Sequence, residues 1–150
     1  MAKTEDKGCR IACSNRKARH DYEILDVFEA GLVLEGSEVK SLRNGGGALT
    51  DAYAEIRDGE VFMVNSHIAG YSSASYNDHE PRRPRKLLLH AREIRKLDHK
   101  AREKGFTLVP LSIYFLHGLA KVELALARGR RSYDKRDRIM KRDLSRVSDD

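Results

Sequence analysis

Apolar and polar side chains alternate over several short stretches of the chain, which is the pattern of half-buried β-strands. The pattern predicts strands at 22–28, 31–36, 51–57, 60–68, 107–115 and 121–127. Ala30-Gly31 is a candidate turn between the first two strands. Asp58-Gly59 predicts a tight hairpin, because both turn residues tolerate a positive φ. Pro110 lacks a backbone donor, so it predicts an edge or a bulge in its strand.

Two other stretches have the signals of helices. Ser37 is a candidate N-cap and Asn44-Gly45 a candidate C-terminal stop, which together predict a helix of about two turns. The stretch 91–105 repeats its apolar residues at helical spacing, and Gly105 is placed to end that helix.

In the remaining segments the apolar residues follow neither the alternation of a strand nor the spacing of a helix. We interpret 1–13 as a flexible N-terminus, and 69–85, with its small residues and two prolines, as a long exposed loop. Short strands with interspersed turns are typical of a small antiparallel barrel. The predicted fold class is therefore mostly β with helices. A barrel of six to seven strands with about three helices spans 14–127, and 128–150 forms a tail.

The charge of the chain is concentrated in that tail. Among 150 residues the net charge is +6, and residues 128–150 contribute nine basic against five acidic side chains. A thin apolar stripe, from Tyr133 to Val147, buries too little surface to order the segment by itself. We predict a tail that is disordered when free and helical on an anionic partner. A tail that merely aids solubility is the alternative.

Other classes of protein fit poorly. No apolar run approaches the roughly 20 residues needed to span a bilayer, so no membrane partner is expected. The start of the chain has no apolar signal segment, and Cys9 and Cys13 are the only cysteines. We therefore expect a cytoplasmic protein.

Catalytic and metal-binding signals are weak. The six histidines lack ligand spacing, and His20 with the two cysteines falls short of a structural zinc tetrad. Nucleophile, phosphate-loop and dinucleotide motifs are absent from the sequence. We predict no cofactor, no metal and no enzymatic activity. An RNA-processing enzyme with a basic arm and a structural ribosomal protein stay open as alternatives.

Seven blocks of the sequence resemble the signature blocks of one family, in its order and at its spacing. They are "SNRKARHDYEI" (14–24), "EAGLVLEGSEVKSLR" (29–43), "DAYAEI" (51–56), "RKLLLH" (85–90), "TLVPLSIYF" (107–115), "KVELALARG" (121–129) and "DKR" (134–136). The family is SmpB, the tmRNA-binding proteins of bacterial trans-translation. The resemblance covers about residues 15–142. One departure is "HIAGY", because the family often has Pro-Tyr after "HI" and this chain has Ala69-Gly70 before Tyr71.

The resemblance implies an OB-fold-like barrel that binds the tRNA-like domain of tmRNA. It also implies that the tail enters the empty mRNA channel of a stalled ribosome and meets small-subunit rRNA in the decoding centre. Delivery with elongation factor Tu on aminoacylated tmRNA belongs to the same expectation.

Residues and resemblance together predict two sets of RNA contacts. The tmRNA set is Asn15, Arg16, Lys17, Arg19, His20, Tyr22, Glu29, Lys40, Arg43, Tyr53, Lys86, Leu88, His90, Lys121 and Arg128. The tail set, directed at the ribosome, is Gly129, Arg130, Arg131, Tyr133, Asp134, Lys135, Arg136, Arg138, Lys141 and Arg142.

The chemistry of these residue types suits RNA. Basic side chains bind phosphate, an amide binds sugar or base, and an exposed apolar residue such as Leu88 packs on an unstacked base. The Glu29 carboxylate accepts hydrogen bonds from a base edge or a 2′-hydroxyl. On the residues alone, solvated basic faces and a solvent-facing Glu29 remain alternatives.

Overall fold

The computed structural model of the chain describes residues 9–70, 79–103 and 105–129. In these ranges the strands are β1 (Cys9–Ser14), β2 (Tyr22–Leu32), β3 (Gly47–Ala48), β4 (Tyr53–Arg57), β5 (Glu60–Val64), β6 (His67–Ile68), β7 (Arg85–Leu88), β8 (Phe106–Leu116) and β9 (Leu119–Gly129). The helices are α1 (Arg16–Asp21), α2 (Gly36–Arg43) and α3 (Ala91–Ala101). The predicted class, antiparallel strands with about three helices, is confirmed.

Seven strands form one antiparallel sheet in the order β1-β8-β4-β5-β7-β2-β9, and β9 also pairs with β8. This last pairing links six strands, from β8 round to β9, into a closed circuit of hydrogen-bonded neighbours. β1 pairs with the second half of β8, beyond the point at which Ala54 of β4 meets Leu108. β3 and β6 form a separate two-stranded sheet.

The main core lies inside this circuit. Val122, Leu124 and Leu126 alternate along β9 and are all buried, as the period of a strand requires. Leu42 of α2 and Leu97 of α3 join the same cluster. Both longer helices are therefore held to the sheet by apolar side chains.

A second, smaller cluster lies on the outer face of β8 and β9. Ala18 of α1 packs there against Val109, Leu111, Ala125 and Ala127. The two alanines of β9 point away from Leu124 and Leu126, because neighbouring residues of a strand face opposite sides. This cluster fixes α1 and its basic residues on the outside of the sheet.

Strand pairing overrides the turn predicted at Ala30-Gly31. β2 runs without interruption from Tyr22 to Leu32, so that prediction is wrong. Ala30 and Gly31 are paired with β9, and Gly31 is paired on its other side with Leu88 of β7. Hydrogen bonds on both edges therefore hold this segment in an extended conformation.

Three further segments differ from the sequence interpretation. Cys9–Ser14 form β1 where a flexible segment was expected, because β8 supplies a pairing edge for them. Residues 16–21 form α1, which the apolar spacing did not predict. The described part of the expected exposed loop contains two buried side chains, those of His79 and Arg85. Residues 1–8, 71–78, 104 and 130–150, which include all of the predicted tail except residues 128 and 129, lie outside the described ranges.

The predicted turn at Asp58-Gly59 is confirmed, and a second turn of the same kind, which the sequence pattern did not predict, joins β8 to β9. Asp58-Gly59 joins β4 to β5 with φ values of 51° and 78°, and His117-Gly118, with 51° and 81°, makes a second such turn between β8 and β9. Pro110 lies where the β8–β9 register shifts, so it marks a bulge rather than an edge.

The helix ends also shift. α2 starts from Glu35, whose capping box with Glu38 replaces the expected Ser37 cap, and Asn44 is its C-cap as predicted. α3 ends at Ala101, before Gly105.

Candidate nucleic-acid interface

Five strands place one residue each in a line across the outer face of the sheet. Gly31 of β2 is the partner of Leu88 in β7 and of Lys121 in β9, Lys121 is the partner of Tyr114 in β8, and Tyr114 is the partner of Ile11 in β1. We call these five residues the cross-strand row. Leu88 is 52% exposed and Ile11 45% exposed, so the row ends in an apolar side chain on each side.

Gly31 allows Leu88, at one end of the row, to lie close against β2. A Cβ atom at position 31 would lie 3.3 Å from the Cβ atom of Leu88. Any larger residue would therefore push the leucine side chain away from β2. The sequence pattern indicated only a candidate turn at Gly31, and the role of Gly31 beside Leu88 follows from the β2–β7 register.

Glu29 lies two residues before Gly31 on the same exposed side of β2, as predicted for a residue that meets RNA. Its Oε2 atom accepts a hydrogen bond from the hydroxyl of Tyr114. Burial, followed by the hydrogen bond to Glu29 and the negative charges of Glu29 and Glu123, raises the pKa of Tyr114 well above its usual range. Tyr114 therefore remains a protonated donor at neutral pH and orients the carboxylate.

Asn15 is predicted to contact RNA, but the structure turns its side chain inward. The amide is 4% exposed, and its Nδ2 atom donates to the carbonyl oxygens of Leu49 at 2.9 Å and Pro110 at 3.0 Å. Its Oδ1 atom accepts from the backbone N–H of Ala18 at 3.1 Å. These contacts cap α1 and tie it to the sheet, and an RNA contact by Asn15 stays a prediction.

The basic residues of α1 are exposed next to the cross-strand row. The guanidinium of Arg19 lies 2.6 Å from the Glu123 carboxylate, and Glu123 is the partner of Glu29 across the β2–β9 pair. Arg16 and His20 are also exposed, and His20 contacts Asp21 at 3.2 Å. α1 and Glu29 therefore belong to one continuous surface.

Tyr22 and Tyr53 meet at a cavity between α1 and the start of β4. The cavity has a volume of about 220 Å³ and is also lined by Lys17 and Asp51, whose charged groups are 3.9 Å apart. Aromatic walls beside a cation suit an unstacked base and its phosphate. Both tyrosines belong to the predicted tmRNA set, and the structure brings them together although they are far apart in sequence.

The ends of β7 and β9 carry three more of the predicted residues. Lys86 is paired with Glu60, and Arg128 lies 2.6 Å from Glu23. His90 is exposed and caps α3. Lys86 and His90 each lie two residues from Leu88 in sequence, whereas Arg128 lies seven residues along β9 from Lys121. Ion pairing already occupies both Lys86 and Arg128.

Lys40 and Arg43 lie elsewhere. The guanidinium of Arg43 is 4.6 Å from the centre of the Phe115 ring, which points to the opposite side of β8 from Tyr114. α2 contacts β1 and β6. The structure therefore does not bring these two cations into the row, and their contact with RNA stays a prediction.

A buried ion pair holds α2 in its position. Glu38 and Arg85 have fully buried side chains, and Arg85 Nε donates to Glu38 Oε2 at 2.6 Å. Burial alone would raise the pKa of Glu38, but hydrogen bonds from Arg83 and the Glu35 backbone, with the Arg85 charge, lower it below its usual value. Arg85 also donates to Ser66 at 3.0 Å. The sequence pattern gave no signal for this network.

Gly129 is the last described residue and is paired with Tyr22, so the tail leaves the sheet beside α1. The other nine residues of the predicted tail set lie outside the described ranges. No helix in the described part of the chain is long and apolar enough to cross a membrane. The same residues contain no group of three or more His, Cys, Asp or Glu side chains that could hold a metal ion.

Comparison with known proteins settles the family. The family model described as "SmpB protein" matches residues 12–150. The chain belongs to the SmpB family. An SmpB relative, the "SsrA-binding protein" of Acidothermus cellulolyticus, is 59% identical over 94% of this chain and 89% of its own length. The protein of the same name from Thermobifida fusca is 58% identical over 96% and 91%.

A solved SmpB-family structure has the same fold. It is described as "tmRNA-SmpB: a journey to the center of the bacterial ribosome" and superposes with a TM-score of 0.68 at 55% identity. The match covers 79% of this chain and 83% of that one. The resemblance in the sequence blocks is thereby confirmed at the level of family and fold.

Proposed function

We propose that this protein binds the tRNA-like domain of tmRNA through the outer face of β7, β2, β9 and β8 and delivers it to stalled ribosomes for trans-translation. The names of its relatives and the solved tmRNA–SmpB structure support this proposal. It acts as an adaptor in the cytoplasm and catalyses no reaction. Delivery with elongation factor Tu is a further part of the proposal.

The observation that carries the proposal is the combination of Glu29 with the cross-strand row. An oriented carboxylate accepts hydrogen bonds from base edges or 2′-hydroxyls, which a cation cannot do. The exposed Leu88 offers an apolar surface to an unstacked base, and Lys121 is paired with Gly31 on the other side of β2, diagonal to Glu29. A site for phosphate alone would need neither the acid nor the leucine.

The α1 surface extends the same interface. Arg16 and Lys17 are exposed on a helix that Asn15 and Ala18 hold rigidly, so they offer phosphate contacts without a large ordering cost. The cavity between Tyr22 and Tyr53 accommodates one base beside these phosphates. RNA seated on the row therefore continues onto α1.

The tail supplies the ribosome-directed half of the proposal. Its basic residues become ordered on small-subunit rRNA in the empty mRNA channel, where Tyr133 stacks on a base. The barrel thus binds tmRNA, while the tail binds in the mRNA channel only when mRNA is absent from it.

A binding titration with the tRNA-like domain tests the interface. We expect Leu88→Ala to weaken binding by about 1 kcal/mol, since about half of a leucine's burial is at stake. Leu25→Ala is the matched control: it is 44% exposed and lies on β2 about 20 Å from Gly31. We expect Glu29→Ala to cost about 1–3 kcal/mol and Glu29→Gln less, because the amide keeps one acceptor oxygen.

The control decides how the result is interpreted. Equal losses for Leu88→Ala and Leu25→Ala would mean that the row is not the RNA-binding site. Normal binding by both Glu29 variants would remove the carboxylate from the interface.

A further inference from the structure

The exposed side of α3 carries five basic residues that the proposed interface does not use. They are Arg92, Arg95, Lys96, His99 and Lys100, all exposed, and we call them the α3 basic face. At 3.6 residues per turn they occupy about 140° of the helix circumference, and the centre of this arc lies about 130° from the buried Leu97. The face spans about 12 Å along the helix axis.

Most of these side chains have no charged or hydrogen-bonding partner among the residues that the structure describes. Lys96 lies 3.4 Å from Asp26, but Arg92, Arg95 and Lys100 make no ion pair or hydrogen bond with any residue the structure describes. The proposed tmRNA surface differs in this respect, because several of its cations are bound to carboxylates. Those are Lys17 with Asp51, Arg19 with Glu123, Lys86 with Glu60 and Arg128 with Glu23.

The arrangement also disfavours the free helix. Arg92, Lys96 and Lys100 follow one another at intervals of four residues, and like charges at that spacing destabilise a helix. The acids of α3 do not relieve this repulsion: Glu93 accepts from the backbone N–H of His90, and Asp98 is paired with Arg102. A polyanion on this face would relieve it.

The face is held as a rigid array. Leu97 is fully buried, and the Lys96 ammonium lies 5.7 Å from the centre of the Phe28 ring as well as near Asp26. The capping box of His90 and Glu93 fixes the start of the helix. Binding therefore requires only the arginine and lysine side chains to become ordered.

We propose that the α3 basic face is a second RNA site, which binds the phosphate backbone of double-helical RNA without reading its sequence. Apart from the His99 ring it presents no aromatic side chain for stacking, and it has no oriented carboxylate comparable to Glu29. Duplex nucleic acid carries a negative charge about every 1.7 Å of its axis, so a span of about 12 Å faces several phosphates. This site goes beyond the tmRNA interface proposed above.

The test uses the full chain and a labelled RNA duplex of about 20 base pairs, unrelated in sequence to tmRNA and slightly longer than a typical duplex-binding footprint. We expect the double variant Arg92→Gln, Arg95→Gln to bind the duplex about tenfold more weakly at about 0.1 M salt. Its plot of log K against log salt concentration should be shallower by about 1–2 units.

The matched control is the double variant Arg57→Gln, Arg82→Gln. Both arginines are exposed, and they contact Glu55 and the Asn65 carbonyl oxygen respectively. It removes the same net charge and keeps the basic tail, so it should bind the duplex within about twofold of the unchanged chain. Equal weakening by both double variants would overturn the proposal in favour of a general charge effect.

A second arm separates this site from the tmRNA interface. The chain carrying one equivalent of unlabelled tRNA-like domain should still bind the labelled duplex, because a single tRNA-like domain on the cross-strand row leaves the α3 basic face open. Arg92→Gln, Arg95→Gln should leave affinity for the tRNA-like domain unchanged. Competition between the two RNAs, or an equal loss for both, would overturn the proposal. Failure of the chain to bind the tRNA-like domain would overturn only the tmRNA interface. Circular dichroism of each variant checks that α3 is still folded. The single variant Lys100→Gln removes one charge from the same face, so it should also weaken duplex binding while keeping the helix.

Discussion

The hydroxyl of Tyr114 fixes the direction of the Glu29 carboxylate on the outer face of the sheet. Alternation in "SIYF" predicts that Tyr114 points away from Ile113 and Phe115. Its partner could not be predicted in the same way, because Glu29 lies 85 positions earlier and reaches Tyr114 only through the β2–β9–β8 order. Gly31 is a similar case, since its closeness to Leu88 depends on the register of two distant strands.

Replacing Tyr114 with phenylalanine should change how stability depends on pH. Folding raises the pKa of Tyr114 above its unfolded value near 10, through burial and the bond to Glu29. The protonated hydroxyl therefore contributes its full stability below about pH 10 and loses that contribution as the pH rises. We expect the unchanged chain to lose more unfolding free energy than Tyr114→Phe between about pH 9 and pH 11. Urea unfolding at several pH values across this range measures the unfolding free energy of both proteins. If the two plots of unfolding free energy against pH were parallel, the prediction would be wrong.

At the scale of elements, the buried pair of Glu38 and Arg85 joins α2 to the start of β7. The sequence predicted α2, α3 and the Asp58-Gly59 hairpin, because their caps, spacing and turn residues are local signals. It did not predict β1 or α1. β1 gains its partner only from β8, about a hundred residues later, and α1 depends on Asn15 bonds to Leu49 and Pro110.

Breaking the buried pair should be costly. We expect Glu38→Ala to lower the free energy of unfolding by about 3–5 kcal/mol, because it leaves the Arg85 charge buried without its partner. Asp98→Ala breaks the exposed pair with Arg102 and should cost less than about 1 kcal/mol. Denaturant unfolding of both variants makes the comparison, and similar small losses would show that Arg85 is solvated after the change.

At the scale of the whole molecule, the sheet ends beside α1, where Gly129 pairs with Tyr22. The sequence pattern gave the strand content and the basic tail. The closed circuit of strands could not be read from it, because closure depends on which strands pair rather than on where they lie. The same holds for the candidate site. The types of residue that form it could be predicted from the sequence, but their placement together on one face of the sheet could not.

Removing the tail should separate tmRNA binding from ribosome rescue. A chain that ends at Gly129 keeps every described strand, so we expect it to bind the tRNA-like domain with little loss. It should fail to tag nascent peptide on ribosomes that lack mRNA in the channel, because the residues directed at rRNA are gone. A full-length chain with Lys135→Gln and Arg136→Gln separates the effect of charge from that of length. Normal tagging by the truncated chain would refute this division of roles.

The pairing of β2 with β9 also bears on how the protein is made. A ribosome synthesises the chain from its N-terminus, so β2 emerges about a hundred residues before the strand that covers its edge. The hairpins at Asp58-Gly59 and His117-Gly118 need only neighbouring residues and close within about 10 μs once they emerge. Throughout most of translation, β2 therefore lacks its longest partner. The circuit of strands closes only after β9, the last strand that the structure describes, has left the exit tunnel, so closure waits for the whole of the described sheet to be translated.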